Sequence, residues 1–575
     1  MGRALSKHST KVLLVALNAK YSHSSLALRY LKHYLKHYLE PGLADVETLE
    51  FNINQNLDAI LGDLARRNPD VVGFSCYIWN IELILTLVSN LRKVCPKTTI
   101  ILGGPEVSFD TEYWLKRYPA IDYLIAGEGE EALGSFLEEF GQAKGSLTWD
   151  QLSSICGLVY RRGDKVIQNP HKPLDLASIP PIYAGDLGGL RNKIVYYETT
   201  RGCPYACAYC LSSVMGGVRK FPEERSQDEL RRLAAVGVEQ VRFVDRTFNY
   251  DAKRAYGLLE FMMELDTPTR FQLEVSGDLL TPEILDLLRD APENRFQFEI
   301  GVQSTHSDTL KAVSRRTDLE RLADVVKFLK EKTTVRVLLD LIAGLPEEGF
   351  WRFGQSFDFV YSLKPDRIHL GFLKLLRGSR LRDEAESFGC VYTNEAPYEV
   401  LRTKDLSFAE LSRLKVIEDL VDKYYGSRFA GSLEYLCGNY KSLFAFFNDL
   451  AEKWEEAGYH WLNHSLSSLY RILWDLFGTE PAFPDLLPWL CYDFRLNEPR
   501  QMTPAWMGGR QNRSLENELI QSGQILQIIP ELAGLEPREM GRRIFVETLH
   551  FQKGTEQVLF YFSSDRTVAR TFPLG

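Results

Sequence analysis

The chain has 575 residues, enough for roughly three or four domains of ordinary size. A net charge of −9 with both signs interspersed argues against bulk electrostatic attraction to nucleic acid, though not against one structured RNA held by a local patch, and 45% hydrophobic with 25% charged residues is an ordinary globular composition. No stretch approaches the roughly 20 apolar residues of a membrane span, and Met1 to Lys11 is polar without an apolar signal core, so a cytoplasmic protein is expected.

From residue 11 to 140 short apolar runs alternate with amphipathic segments. Val12–Ala16 reads as a buried strand, followed by a helical pattern from Ser24 to Leu39. Val71–Ser75 is a second strand, Ile81–Val94 a helix, and Thr99–Leu102 a third strand ending at Gly103-Gly104-Pro105. Tyr123–Ala126 follows, closed by Gly127-Glu-Gly-Glu130. This rhythm predicts an α/β, Rossmann-like, doubly wound parallel sheet with its ligand at the carboxyl ends of the strands. Those strand ends resemble the cobalamin-binding domains that precede many radical S-adenosylmethionine (SAM) enzymes. The resemblance implies that His23 on the first loop, Ser75, Gly103 and Gly104 lie against cobalamin. The first loop departs from the cobalt-ligating pattern Asp-x-His-x-x-Gly, reading Tyr21-Ser-His23-Ser-Ser-Leu26. It lacks the aspartate that would orient the imidazole. The expectation is cobalamin with no protein histidine on cobalt, ligation by His23 being the alternative.

A hairpin pattern, Gly157–Ile167, and a Pro-rich passage ending Ile179-Pro-Pro-Ile182 read as a linker. Next comes Glu198-Thr-Thr-Arg201-Gly202-Cys203-Pro-Tyr-Ala-Cys207-Ala-Tyr209-Cys210. Three thiols at this spacing suit three irons of a [4Fe–4S] cube, leaving the fourth open; a zinc site short of one ligand is the alternative. Cys76, Cys95, Cys156, Cys390, Cys437 and Cys491 never fall within cluster spacing and read as small buried hydrophobes. The spacing, with Tyr209 before the last cysteine, resembles the signature of the radical SAM superfamily, in which the free iron takes S-adenosylmethionine.

Six strand patterns follow: Ile194–Glu198, Gln240–Val244, Arg270–Val275, Phe296–Ile300, Val335–Leu339 and Arg367–Gly371. They suit the partial, TIM-like (β/α)6 barrel that the resemblance implies. It further implies that Glu274 and Ser276 hold ribose hydroxyls, Gln303 faces the sulfonium or substrate side, and Gly344 belongs to a segment against adenine. The pair Arg315-Arg316 follows, Arg316 being the expected clamp on the methionyl carboxylate. Asp245, with Arg246, reads as a holder of the methionyl amine, as a group serving cobalamin or substrate, or as an ion pair at the rim.

Beyond Tyr398 the pattern is helical, as in Phe408–Tyr425, and the aromatics from Tyr435 to Phe494 read as bundle core. Arg543–Leu549 and Gln557–Phe562 look like strands. The expected division is 1–145 cobalamin-binding domain, 146–185 linker with hairpin, 186–395 radical SAM barrel, and 396–575 a mainly helical domain resembling an uncharacterised one attached to such enzymes. The resemblance implies a radical SAM enzyme with three cofactors, [4Fe–4S], S-adenosylmethionine and cobalamin, and a reductant such as flavodoxin or ferredoxin. Its substrate would be a small molecule, lipid or peptide. Methyl transfer to an unactivated carbon leads; radical rearrangement, cyclisation or oxidation, and a non-catalytic regulatory protein, are the alternatives.

Overall fold

The computed structural model describes residues 9–214, 216–498, 503–509, 512–563 and 569–574; the polar N-terminal segment lies, up to residue 8, outside them. The chain divides into two compact units, Met1–Glu348 with Gly371–Ser407, and Gly349–Leu370 with Phe408–Gly575.

The first unit opens with five parallel strands in the order β2-β1-β3-β4-β5: β1 Thr10–Asn18, β2 Ala44–Asn52, β3 Val71–Ser75, β4 Thr99–Gly103 and β5 Tyr123–Ile125. Period-two alternation covers both faces. Leu13, Val15 and Leu17 of β1 enter one core with helices α2 Leu57–Arg67, α3 Ile81–Val94 and α4 Thr111–Arg117. Val12, Leu14 and Ala16 enter the other, with α1 Leu26–Tyr38 and α5 Glu130–Gln142. Each large aliphatic side chain so buried contributes roughly 1.5–3 kcal/mol. Strand β2 escaped the sequence reading because it is an edge strand. Its residues Ala-Asp-Val-Glu-Thr-Leu-Glu-Phe-Asn are half-buried or exposed throughout, with no apolar run. The hairpin, β6 Leu158–Arg162 and β7 Lys165–Gln168, is not a free linker element: β6 pairs antiparallel with β5 and extends this sheet.

The barrel strands are Ile194–Tyr197, Gln240–Phe243, Arg270–Val275, Phe296–Gln303 and Arg336–Ala343, parallel and adjacent in chain order, followed by Arg367–Phe372. Past that sixth strand the Leu373 N–H donates to the Ala343 carbonyl at 2.9 Å. Strands four and five run a few residues beyond the expected ends because the alternation persists: Phe296, Phe298, Ile300 and Val302 are buried, while Gln297, Glu299, Gly301 and Gln303 face the lumen. The apolar positions meet the layer of helices that wraps the strands, which leaves the polar ones to line a site.

The second unit is mainly helical, with a three-stranded antiparallel sheet of Ile544–Phe551, Gly554–Phe562 and Ala569–Pro573 behind the helices. Leu411, Leu414, Ile417 and Val421 of helix Phe408–Tyr424 are buried, as their spacing predicts. Trp454 is fully buried and serves as core, whereas Trp461 is 81% exposed. Helix Phe350–Ser362 approaches Phe444 so closely that a Cβ on Gly354 would sit 2.3 Å from that ring.

Candidate active site

The cysteine loop begins at Gly202, whose φ of +96° and whose 1.9 Å gap between an added Cβ and the Gly217 carbonyl admit no other residue. Backbone bonds anchor the loop on both sides: Ala208 N–H donates to Val313 O and Leu381 N–H to Ala208 O, each at 2.9 Å. Cys203, Cys207 and Cys210 are all free thiols. Cys207 is the buried one; burial pushes its thiol up, and Arg315, 3.9 Å away, pulls it back down. Cys203 lies 3.8 Å from the Thr247 hydroxyl.

Arg315, rather than Arg316, contacts this loop. Its guanidinium donates to the Tyr209 hydroxyl at 3.4 Å and to the Gly301 carbonyl, so Tyr209 is tied to the fourth barrel strand. Arg316 is exposed and lines a surface pocket with Tyr205, Asp278, Lys311 and Asp318. Adjacent residues that alternate between core and surface are indistinguishable by composition, so the sequence offered no signal for choosing between them.

Ser276, after the third strand, shares its hydroxyl with Tyr205 at 3.2 Å and Asp278 at 2.7 Å. Its backbone is held at both N–H and C=O by the Asn249 side chain, at 2.9 and 2.8 Å. Glu274 faces the lumen beside Glu299, Asp340 and Arg246. Burial chiefly, with repulsion from the two carboxylates, lifts its pKa to about 7, Arg246 acting against them. Gln303 stands at a φ of +69°, and its Oε1 is buried with no hydrogen-bond partner. The absence of a side chain at Gly301 makes that placement feasible: a Cβ there would be 2.2 Å from Gln303 Nε2. Gly344, φ +91°, turns the chain out of the fifth strand.

Asp245 turns back to the segment before the cysteines. Fully buried, it accepts from Thr199 N–H at 2.9 Å, Thr199 Oγ1 at 2.6 Å and Thr200 Oγ1 at 2.7 Å, bracing the segment that leads into the cysteines. Neighbouring Thr247 and Asn249, which the sequence reading passed over, contact Cys203 and Ser276 instead.

At the edge of the first sheet Ser75 and Gly103 are paired in register, and Cys76 N–H donates to Gly103 O at 2.7 Å. Gly104 has φ +108°, and its Cβ would lie 2.5 Å from the Cys76 carbonyl. Buried Asn80 stitches the ends of β1 and β3 together, donating to Leu17 O and Ser75 O at 3.0 Å each. His23 turns to the barrel: its Nδ1 meets the Tyr196 hydroxyl at 3.1 Å. Burial, then Arg242 and Lys20, lower its pKa.

Comparison with known proteins places families on these elements. Residues 12–137 match the B12 binding domain, residues 197–360 the Radical SAM superfamily, and residues 386–560 a protein of unknown function, DUF4080. The chain is 27% identical over 299 residues to the cobalamin-dependent radical SAM methyltransferase TokK of Streptomyces tokunonensis; the match spans 49% of this chain and only 43% of that relative. Among solved structures it is similar in fold to the radical SAM methyltransferase TsrM of Kitasatospora setae with cobalamin and a [4Fe–4S] cluster bound (19% identity, TM-score 0.55, 68% of this chain and 80% of that one). It is likewise similar in fold to the cobalamin-dependent radical enzyme OxsB with aqua-cobalamin bound (16%, TM-score 0.58, 85% and 80%).

These domains require a [4Fe–4S] cluster, S-adenosylmethionine and cobalamin, and the residues present fit them. Among the described residues no three His, Cys, Asp or Glu side chains converge on a single ion. A cube instead takes each thiolate on its own iron, a wider spread that one loop of three free soft donors suits. The unpartnered Gln303 Oε1, near Gly301, leaves an acceptor for a polar cofactor. The Ser75–Gly103 strand ends present only a small side chain and none, which lets a large ring approach the backbone there, while Gly104 is the residue that the close Cys76 carbonyl admits.

Proposed function

We propose that this chain, which joins a B12-binding domain, a radical SAM domain and a DUF4080 domain, transfers a methyl group to an unactivated carbon of its substrate. The observation that carries the reading is the 299-residue likeness to a cobalamin-dependent radical SAM methyltransferase, together with one cysteine loop and one glycine-lined sheet edge in a single compact unit. When bound, the cofactors supply a 5′-deoxyadenosyl radical for hydrogen abstraction and a methyl group on cobalt for transfer. The protein's own residues orient and shield. Cys203, Cys207 and Cys210 bind the cluster, and Arg315 offsets thiolate charge at Cys207. Glu274 and Ser276 hold ribose hydroxyls, and Gln303 Oε1 accepts from the bound nucleoside or substrate. Ser75, Gly103 and Gly104 seat cobalamin. A low-potential protein such as flavodoxin or ferredoxin supplies the electron.

The test is anaerobic incubation of the loaded, reduced protein with methyl-labelled S-adenosylmethionine and fractionated extract, following label and 5′-deoxyadenosine together. Label in a product one CH2 unit heavier supports the reading. Steady 5′-deoxyadenosine with no label transfer sinks it.

A further inference from the structure

Two arginines outside the cofactor residues join the sheet domain to the barrel within the first unit. Arg201 lies two positions before Cys203. It donates to Glu198 at 2.9 Å, to Glu128 at 3.0 Å and to Glu130 at 2.6 Å, with its plane over Tyr30 and Phe221. All four charged side chains are at most 11% exposed. Glu128 also receives Arg219 at 2.6 Å and the Leu174 N–H at 2.8 Å. Glu128 and Glu130 follow β5 directly, so the guanidinium ties the approach to the cysteines to that sheet edge.

Arg377 does the same from the barrel's exit loop. It donates to the Tyr398 hydroxyl at 3.0 Å and to Asp110 at 2.7 Å, while Tyr398 donates to Glu106, two positions after Gly104. The Tyr113, Trp114 and Tyr398 rings enclose it at 4.3, 4.8 and 5.2 Å. Next to it, Gly378 has φ +80° and packs so tightly that a Cβ would be 2.1 Å from the Phe109 ring. From the same exit loop Leu381 bonds Ala208 between two of the cysteines. A continuous run of contacts therefore links Gly104 to the cysteine loop.

Mere adhesion between two domains is achieved as well by apolar surface, without the desolvation cost of buried ions. What fork-shaped guanidinium bonding adds is fixed angle and register. We infer that Arg201 and Arg377 are positioning residues that set the separation and orientation of the cysteine loop relative to the Ser75–Gly104 edge. This rests on the reading that both places hold cofactors. Radical transfer between two seats is sensitive to such placement, since a 1 Å error costs up to roughly a hundredfold in rate.

The experiment uses the full chain loaded with cob(II)alamin and the one-electron-reduced cluster, both paramagnetic, and reads their mutual spin coupling by EPR. Arg201→Lys and Arg377→Lys keep the charge but lose the fork; they are expected to retain both cofactors, alter the coupling, and raise 5′-deoxyadenosine released per methylated product roughly tenfold. Glu130→Gln, which weakens one bond to Arg201, and Tyr398→Phe, which removes the hydroxyl joining Arg377 to Glu106, should move both quantities the same way by less. Unchanged coupling in all four variants overturns the inference. So does loss of folding or of both cofactors in all four, which would make the arginines structural props. The coupling is read without substrate, so failure of the wild type to methylate anything would count against the proposed activity and leave this measurement intact.

Discussion

The Nδ1 of His23, on the loop after the first strand, and the hydroxyl of Tyr196, on the first barrel strand, meet at 3.1 Å with their rings edge to face at 5.6 Å. The phenol hydroxyl occupies one of the two ring nitrogens and draws the imidazole toward the barrel strand. The expected outcome is a Co(II) EPR spectrum of the loaded protein with no nitrogen splitting from His23, superimposable on that of His23→Ala. A splitting lost in the variant would establish ligation.

Arg315 places a cation 3.9 Å from the Cys207 sulfur, opposing the burial that raises its thiol. A charge-assisted contact of this kind is worth about 1.5–3 kcal/mol. Arg315→Met should therefore lower iron and sulfide per chain several-fold on reconstitution at pH 7. Arg316→Met, changed at an exposed position, should load normally.

Glu274 carries a folded-state pKa of about 7, well above its ordinary range, chiefly through burial. A carboxyl whose pKa rises on folding binds its proton more tightly in the native state. Its contribution is complete below the unfolded pKa and is lost as pH climbs through 7, at a cost of roughly 3 kcal/mol. Urea midpoints of the apoprotein should accordingly fall between pH 5 and pH 8, and Glu274→Gln should flatten that slope. Glu299→Gln, which removes a repelling neighbour, should shift the wild-type decline to lower pH.

Gly104→Ala meets both a left-handed φ of +108° and a carbonyl 2.5 Å from the new methyl. The distortion, costing about 1–2 kcal/mol for the backbone alone, falls on the proposed cobalamin seat. Retention of cobalamin through gel filtration, followed by absorbance, should weaken at least roughly tenfold. Gly189→Ala, where nothing lies within 4 Å, should be indistinguishable from the parent.

Much of this molecule was legible because its signals are local. Helix Ile81–Val94 and strand Arg270–Val275 coincide with their apolar periodicity, and the cysteine spacing sits within eight residues of one loop. Strand β2 was not legible: an edge strand with a half-wet face carries no apolar run, and only pairing with β1 defines it. The hairpin Leu158–Arg162 and Lys165–Gln168 showed its turn but not its neighbour, because β5 could have been closed by anything.

The linear code carried the set of cofactors, since three thiols at fixed spacing and glycines after buried strands mark places for soft metal and a large ring, wherever the chain goes. The folded chain settled the partners. Arg315 rather than Arg316 reaches Tyr209, 106 positions away; Asp245 is spent on Thr199, 46 positions back; and His23 finds Tyr196 across 173 residues. Such contacts arise from where strands and loops converge in space, and nothing in the local periodicity of either partner encodes the distance between them.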